Sequence, residues 1–204
     1  MRKFSKEDDS PAKKKLNITK LSLISGGIWM VLGGLIIHFG QDRSLLEAFT
    51  DGVPVWFQLA TGTGFGILFG VMGVQLMKDP TLKEALSEYE IIKTLNELKL
   101  GRGQQISVSA VAGITEEFLF RAAIQPVIGI WLTSLIFVGV HGYIKITTVP
   151  KFLFTLFTFL LSMMLGYLYM SFGIYSAIMA HFIYDAIVLW KHTEEAKKET
   201  TEAD

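Results

Sequence analysis

Cysteine is absent from the 204-residue sequence. The chain therefore forms no disulfide, holds no cysteine-ligated zinc and has no thiol nucleophile. Lys and Arg together equal Asp and Glu in number, so the formal net charge is zero. This balance gives no indication of a nucleic-acid partner, and none is predicted. The H-E-x-x-H pattern of conventional zinc proteases is also missing from the sequence.

Long apolar runs separate a few short blocks of charge, which is the pattern of a polytopic membrane protein. The first run follows a basic segment, but it is too long for a signal peptide and no A-x-A-like cleavage site follows it. We therefore expect an uncleaved helix there. The fold class predicted is an all-α membrane protein with about six transmembrane helices, at 21–40, 53–77, 106–125, 129–146, 152–172 and 174–190.

The distribution of Lys and Arg predicts how these spans are oriented. Seventeen of the 19 lie in segments on one side of the six spans, whereas Arg43 alone lies on the other and Arg121 lies within a span. By the positive-inside rule, we predict a multi-pass protein of the cell membrane with both termini in the cytoplasm.

The polar segments predict three parts of the chain outside the membrane domain 21–190. Residues 1–20 form a basic cytoplasmic tail, and residues 191–204 form a charged C-terminal tail that lacks apolar periodicity and is expected to be solvated or frayed. Residues 79–100 have apolar side chains at steps of three and four, which predicts one amphipathic helix along the cytoplasmic membrane interface. Asp79 is suited to be the N-cap of this helix.

Glycine recurs at every fourth position of the second span, at Gly62, Gly66 and Gly70. Such a row of small residues predicts that another helix packs closely against this face.

Two adjacent carboxylates and one arginine lie in the third predicted span. On a helix, Glu117 and Arg121 are i,i+4 neighbours and can pair, while Glu116 lies about 100° around the helix from Glu117. Charged groups at bilayer depth are costly and by default mark function. We expect Arg121 to hold one acid while the other exchanges a proton; a buried structural triad is the alternative.

Two more spans contribute ionisable side chains. His141 lies in the fourth span, and His181 and Asp185 share one face of the sixth because they are four residues apart. Counting about 1.5 Å per helical residue places all of these groups in the cytoplasmic half of the bilayer. The sequence therefore predicts a common, water-reachable pocket that opens inward.

Three motifs occur in order, each in its own predicted span. Glu116-Glu-Phe-Leu-Phe-Arg121 fits EExxxR, Phe137-Val-Gly-Val-His141 fits FxxxH, and His181-Phe-Ile-Tyr-Asp185 fits Hxxx(N/D). In these motifs the chain resembles the CPBP intramembrane proteases, the CAAX-protease and bacteriocin-processing family that is also called Abi. The resemblance covers roughly residues 106–190, which we therefore expect to be a protease core.

The resemblance implies an intramembrane endopeptidase that acts on a peptide or membrane-protein substrate among membrane lipids. Peptide or bacteriocin maturation, immunity and CAAX-type processing are all compatible with it. The implied roles fall into three pairs. Glu116 acts as general base with His141, Glu117 and Arg121 orient the site, and His181 and Asp185 stabilise the oxyanion or bind the substrate carbonyl.

Position 185 departs from the best-studied eukaryotic members, which have asparagine there. A carboxylate donates no hydrogen bond unless it is protonated, so Asp185 is alternatively expected to orient His181. The glutamate-base scheme requires no cofactor. A zinc ion held by Glu116, His141 and His181 is the alternative that the residue types leave open.

Two other classes of protein also bury such groups. A non-catalytic immunity factor or scaffold would bind a peptide without cutting it, but the complete motif set favours the protease. A proton-coupled transporter would also bury Glu, His and Arg, but the sequence has no internal repeat and no paired broken helices.

Overall fold

The computed structural model describes residues 18–89, 92–94 and 100–202, with side chains up to residue 194. Most of the predicted basic tail, residues 1–17, lies outside the described residues. The regular elements of the described part are all helical, in agreement with the predicted all-α class. They are α1 (Ile18–Gly40), α2 (Glu47–Thr50), α3 (Val55–Met77), α4 (Pro80–Leu86), α5 (Arg102–Glu117), a π-helical segment (Phe118–Ile124), α6 (Gln125–Val140), α7 (Val149–Phe172) and α8 (Ile174–Glu202).

Four helical stretches of the described chain are long and apolar enough to cross a membrane, and their limits are Ile18–Gly40, Val55–Met77, Arg102–Val140 and Val149–Phe172. Large apolar side chains cover the outside of the molecule; Phe39 is 79% exposed, for example, whereas Glu117 and Arg121 are fully buried. This arrangement is the reverse of that in a water-soluble domain. The protein is therefore an all-α membrane protein, as predicted.

The number of these stretches differs from the six predicted spans partly because α5, the π-helical segment and α6 follow one another without a loop. The predicted third span and residues 129–140 of the predicted fourth span lie within this 39-residue stretch, and the helix ends at Val140 and not at residue 146. Gly129 interrupts it with φ 79° and ψ 165°, a conformation that favours glycine.

The chain reverses direction at this glycine. Phe120 meets Phe137 edge to face with ring centroids 4.9 Å apart, and Glu116 lies 3.2 Å from His141. In the sequence, the members of both pairs are equally far from residues 128–129. α6 therefore folds back along the preceding segments. The motifs at Glu116 and His141 face each other as a result.

The other predicted span that is not among the four lies in α8. This helix is long enough to cross a membrane, but His181 and Asp185 lie within its apolar half and lower its hydropathy. It begins directly after Gly173, whose φ of 120° allows the chain to turn between α7 and α8. The boundary predicted at residue 173 is therefore confirmed. α8 continues to Glu202, so the backbone of the charged tail is helical up to that residue.

The glycine row of α3 packs against α8, which confirms the predicted close approach. A Cβ atom at Gly62 would overlap the Ser176 carbonyl, and one at Gly66 would lie 2.7 Å from the Ala180 carbonyl oxygen. The two backbones are therefore in direct contact along the part of α8 that carries the sixth-span motif.

The helix predicted over residues 79–100 is shorter in the structure. Asp79 caps α4 as predicted, because its Oδ1 accepts a hydrogen bond from the Leu82 amide at 2.9 Å. α4 ends at Leu86, the chain turns at 87–89, and residues 92–94 are helical again, while 90–91 and 95–99 lie outside the described residues.

The turn after α4 is explained by the packing of Tyr89. Its buried ring contacts the rings of Tyr143 and Phe154, with centroids 6.1 and 5.2 Å away. Lys151 Nζ lies 2.7 Å from Glu88 Oε2, and this contact lowers the pKa of Glu88. Tertiary contacts thus override the helical periodicity of the sequence and hold this segment against the start of α7.

Candidate active site

Glu117 is the centre of a buried polar network at the end of α5. Arg121 Nε donates to Glu117 Oε2 at 3.0 Å, so the predicted i,i+4 pair is present. The other carboxylate oxygen lies 2.7 Å from His181 Nδ1 on α8. Since a carboxylate accepts only, Nδ1 carries the proton of this hydrogen bond. Glu117 therefore joins the first and third motifs, a contact that the sequence did not predict.

Two further polar side chains, which no motif in the sequence indicates, complete the hydrogen bonds of Arg121. Its Nη2 donates to Ser162 Oγ on α7 at 2.9 Å, and its Nη1 lies 3.5 Å from Gln125 Oε1. Gln125 Nε2 in turn donates to the Gly166 carbonyl at 3.1 Å. Ser162 is 41 residues from Arg121, so no local spacing signals the contact. The network ties the motif segment to α7 and satisfies a guanidinium that has no access to solvent.

The guanidinium also packs over the ring of Phe137, with Cζ 5.4 Å from the ring centroid. Phe137 is the first residue of the second motif, and its ring stacks on His141 with centroids 4.3 Å apart. The phenylalanine therefore separates the buried network from the more open pair described next.

Glu116 and His141 form that second pair. Glu116 Oε2 lies 3.2 Å from His141 Nε2, but the approach is not aligned as a hydrogen bond, and this buried oxygen has no aligned partner in the described part of the chain. His141 Nδ1 lies 2.7 Å from the Phe137 carbonyl oxygen, which only accepts, so Nδ1 carries a proton. The Nε2 atom is left facing Glu116, and a single proton can be held by either group.

Exposure divides the six predicted residues into two sets. The side chains of Glu117 and Arg121 are 0% exposed and that of His181 is 8% exposed. The side chains of Glu116, His141 and Asp185 are 16%, 24% and 25% exposed. The structure thus places Glu117, Arg121 and His181 in a buried cluster and Glu116 and His141 in a second, more exposed cluster, while the partly exposed Asp185 contacts His181.

Asp185 contacts the buried cluster through His181. Its Oδ2 lies 3.5 Å from His181 Nε2, which is an ion-pair distance and longer than a typical hydrogen bond. His181 therefore has carboxylates on both sides, one held closely by Nδ1 and one loosely by Nε2. This position is consistent with the alternative that Asp185 orients the histidine.

The π-helical segment directly after the two glutamates was not predicted. Pro126 explains it, because proline lacks an N–H and its ring displaces the carbonyl four residues earlier, that of Ala122. Gln41 Nε2 donates to the Ala122 and Ala123 carbonyl oxygens at 3.0 and 2.6 Å, and Arg43 also donates to Ala122. These donors replace helical hydrogen bonds of the segment. The sequence feature that indicates this break in the helical hydrogen bonding is the dipeptide Gln125-Pro126.

The candidate zinc ligands are divided between the two clusters. Within the described residues, no group of three or more His, Cys, Asp or Glu side chains is arranged to hold a metal ion. Glu116 pairs with His141, whereas His181 lies between Glu117 and Asp185. The set Glu116, His141 and His181 therefore does not fit a three-ligand zinc site as it is arranged here.

Comparison with known proteins covers the same part of the chain. Residues 103–187 match the family model described as "Type II CAAX prenyl endopeptidase Rce1-like". Over 83 residues the chain is 34% identical to the uncharacterized protein YpbD of Bacillus subtilis (strain 168), which covers 40% of this chain and 42% of YpbD. The chain thus matches about two fifths of that relative. No solved structure matches the chain significantly.

The matched segment begins near the start of α5 and ends shortly after Asp185, so it contains all three motifs and all six predicted site residues. The resemblance stated from those motifs is confirmed by an independent match over the same helices. Residues 103–187 of this chain are therefore similar to the Rce1-like type II CAAX prenyl endopeptidases.

Proposed function

We propose that this protein is an intramembrane endopeptidase that hydrolyses a peptide bond near the cytoplasmic membrane face with a water activated by Glu116 and His141. One observation carries the proposal. Glu116 lies 3.2 Å from His141 in a partly exposed pair, while the neighbouring Glu117 is fully buried and held by Arg121. Only the first glutamate is placed to exchange a proton with water.

The hydrogen bond of His141 supports its role as the partner of the base. Because Nδ1 donates to the Phe137 carbonyl, the ring is fixed with Nε2 towards Glu116. When water attacks the substrate carbonyl carbon, the new C–O bond forms, the water proton passes to Glu116, and the C=O electron pair moves to oxygen. When the C–N bond breaks, Glu116 and His141 return this proton to the leaving amine.

His181 is the proposed donor to the oxyanion. Glu117 accepts from Nδ1 at 2.7 Å and so fixes the ring, which leaves Nε2 at the open side of the network next to Asp185. A donor that is already oriented need not reorganise when the negative charge develops, and this preorganisation lowers the barrier. Asp185 then orients His181 and favours its doubly protonated form, in which Nε2 also carries a proton to donate.

Glu117 and Arg121 are the proposed positioning pair. Neither touches solvent, and together they connect α5, α7 and α8 through Ser162 and His181. We expect them to hold the helices that carry the reacting groups at a fixed distance rather than to act on the substrate.

The proposed topology has six spans, with the third and fourth separated at Gly129 and the sixth in α8. The reversal of the chain at Gly129 and the turn at Gly173 support these boundaries. Both termini then lie in the cytoplasm of a cell-membrane protein, and the segment 79–100 and the tails at 1–20 and 191–204 lie on that side. No cofactor is required in this scheme.

The proposed substrates are peptides or membrane proteins whose scissile bond reaches the cytoplasmic interface. The description of the matched family names prenyl CAAX endopeptidases, so a farnesylated peptide with a C-terminal C-A-A-X sequence is one candidate substrate. Peptide or bacteriocin maturation and immunity are other roles that the same hydrolysis would serve.

Quantitative peptidomics of membranes tests the proposal. Membranes that contain the wild-type protein are compared with membranes that contain Glu116→Ala, and Glu47→Ala serves as the control because Glu47 is an exposed residue at the start of α2, in a different part of the chain. We expect fragments with new termini in the wild-type and Glu47→Ala samples and their loss in Glu116→Ala. Identical peptide profiles in all three would overturn the protease and favour a scaffold that binds without cutting.

A further inference from the structure

The proposed site is short of hydrogen-bond donors for an oxyanion. Glu116 and Asp185 are carboxylates, which only accept when ionised, and His141 already uses its Nδ1 proton on a backbone carbonyl. Only His181 Nε2 remains among the six motif residues, because Arg121 and Glu117 are enclosed in the buried network. Oxyanion sites in acyl-transfer enzymes generally combine more than one oriented donor.

Tyr143 stands next to the open pair and belongs to none of the three motifs. It lies in the loop between α6 and α7, two residues after His141, and its ring stacks on that histidine with centroids 5.5 Å apart and an angle of 29°. Edge contacts with Tyr89 and Phe154, at 6.1 and 5.3 Å, fix the other sides of the ring. The loop backbone is held as well, because the Tyr143 carbonyl accepts from Thr155 Oγ1 at 2.6 Å.

The Tyr143 side chain lies near enough to the carboxylates of Asp185 and Glu116 for their charges to act on its hydroxyl. Burial raises the pKa of Tyr143, and the nearby charges of Asp185 and Glu116 raise it further. The phenol is therefore protonated at every pH at which the enzyme would work. This hydroxyl donates no hydrogen bond within the described part of the chain, so its proton is available to another group.

We infer that Tyr143 is a further catalytic residue, whose hydroxyl donates a hydrogen bond to the oxyanion of the tetrahedral intermediate beside His181. The inference rests on the proposed peptide hydrolysis. The O–H bond is kept: as water adds, the carbonyl electron pair moves to oxygen, and this negative oxygen accepts from Tyr143 until the C–N bond breaks. A neutral phenol would thus supply the donor that a carboxylate at position 185 does not.

Tyr143→Phe tests the inference, because it removes the hydroxyl and keeps the ring that stacks on His141. The matched control is Tyr89→Phe, which removes the hydroxyl of the adjacent buried ring in the same aromatic cluster. Each purified variant is reconstituted in liposomes and assayed with an internally quenched peptide that spans the cleavage site mapped by the membrane comparison. Thermal unfolding of each variant is measured in parallel.

Loss of one oxyanion donor typically lowers kcat on the order of 10²-fold. We expect Tyr143→Phe to lower kcat by roughly this factor, with KM and unfolding temperature unchanged, while Tyr89→Phe keeps wild-type kinetics. If wild type cleaves the peptide and Tyr143→Phe cleaves it equally fast, the role of Tyr143 is overturned and the proposed function stands. If no cleavage in the membrane comparison depends on Glu116, both the proposed function and the inference fail.

Discussion

Replacement of Arg121 by methionine is expected to destabilise the protein because it strands a buried charge. The guanidinium is fully buried and donates to Glu117 at 3.0 Å and to Ser162 at 2.9 Å. Methionine has a similar length and fills most of the space, so little of the loss comes from a cavity. The Glu117 carboxylate keeps its hydrogen bond from His181 but loses its principal counter-charge.

The size of the effect follows from this geometry. Breaking one partner of a buried ion pair typically costs about 3–5 kcal/mol. Since His181 still donates to Glu117, we expect the lower end, about 3 kcal/mol. For a chain of this length, 1 kcal/mol shifts the unfolding temperature by about 2–4 °C, so Arg121→Met should unfold roughly 6–12 °C below wild type.

Thermal unfolding in detergent micelles measures this shift. Lys191→Met is the matched control, because Lys191 and Glu194 form a pair 2.7 Å apart that is 37% and 39% exposed. An exposed pair of this kind contributes about 0–1 kcal/mol, so the control should unfold near the wild-type temperature. Addition of Glu117→Gln to Arg121→Met removes the stranded charge and should recover part of the loss. An unchanged unfolding temperature for Arg121→Met would refute the buried-pair reasoning.

Three further predictions concern packing, topology and metal dependence. Gly66→Ala should destabilise the protein by about 1–3 kcal/mol, because its Cβ would lie 2.7 Å from the Ala180 carbonyl oxygen, whereas Gly64→Ala meets nothing within 4 Å and should be neutral in thermal unfolding. Reporter fusions after residue 51 and after residue 191 should report opposite sides of the membrane; the same side for both would contradict the six-span topology. Purified protein should remain active after dialysis against a strong chelator, and loss of activity that zinc restores would contradict the metal-free scheme.

The contacts that depend on spacing within one helix could be predicted from the sequence, because helix geometry determines them. The i,i+4 spacing predicts the Glu117–Arg121 pair, and the four-residue glycine repeat predicts the close contact of α3 that the structure assigns to α8. Each of these contacts depends on positions within one helix. Charge at membrane depth then indicated which helix faces point inward.

The contacts between helices that are distant in the sequence could not be predicted from it. Ser162 lies on α7 and accepts a hydrogen bond from Arg121, which is 41 residues away in the sequence. Nothing in the sequence distinguishes this serine from other small polar residues in an apolar helix. The Glu117–His181 contact also depends on how α5 packs against α8, which no spacing within either helix encodes. Both emerge only from the tertiary arrangement.

Two local features were also missed or mispredicted, each for a physical reason. The π-helical segment follows from Pro126, which displaces the Ala122 carbonyl. The hydrogen bond that this oxygen accepts instead comes from Gln41, which is distant in the sequence. The helix predicted over residues 79–100 gives way to a turn at 87–89 because the Tyr89 ring is buried against Tyr143. In both cases a contact from a distant part of the chain decides between local conformations.

The central claim is that Glu116 is the base of a peptide hydrolysis. The most direct measurement compares kcat/KM of purified wild type and Glu116→Gln, reconstituted in liposomes, on a peptide that spans the mapped cleavage site. Glutamine keeps the shape of the side chain but has no basic oxygen, and removal of a general base typically costs about 10²–10⁴-fold in rate. We predict a loss within this range at an unchanged unfolding temperature, and full activity of Glu116→Gln would contradict the assignment of the base.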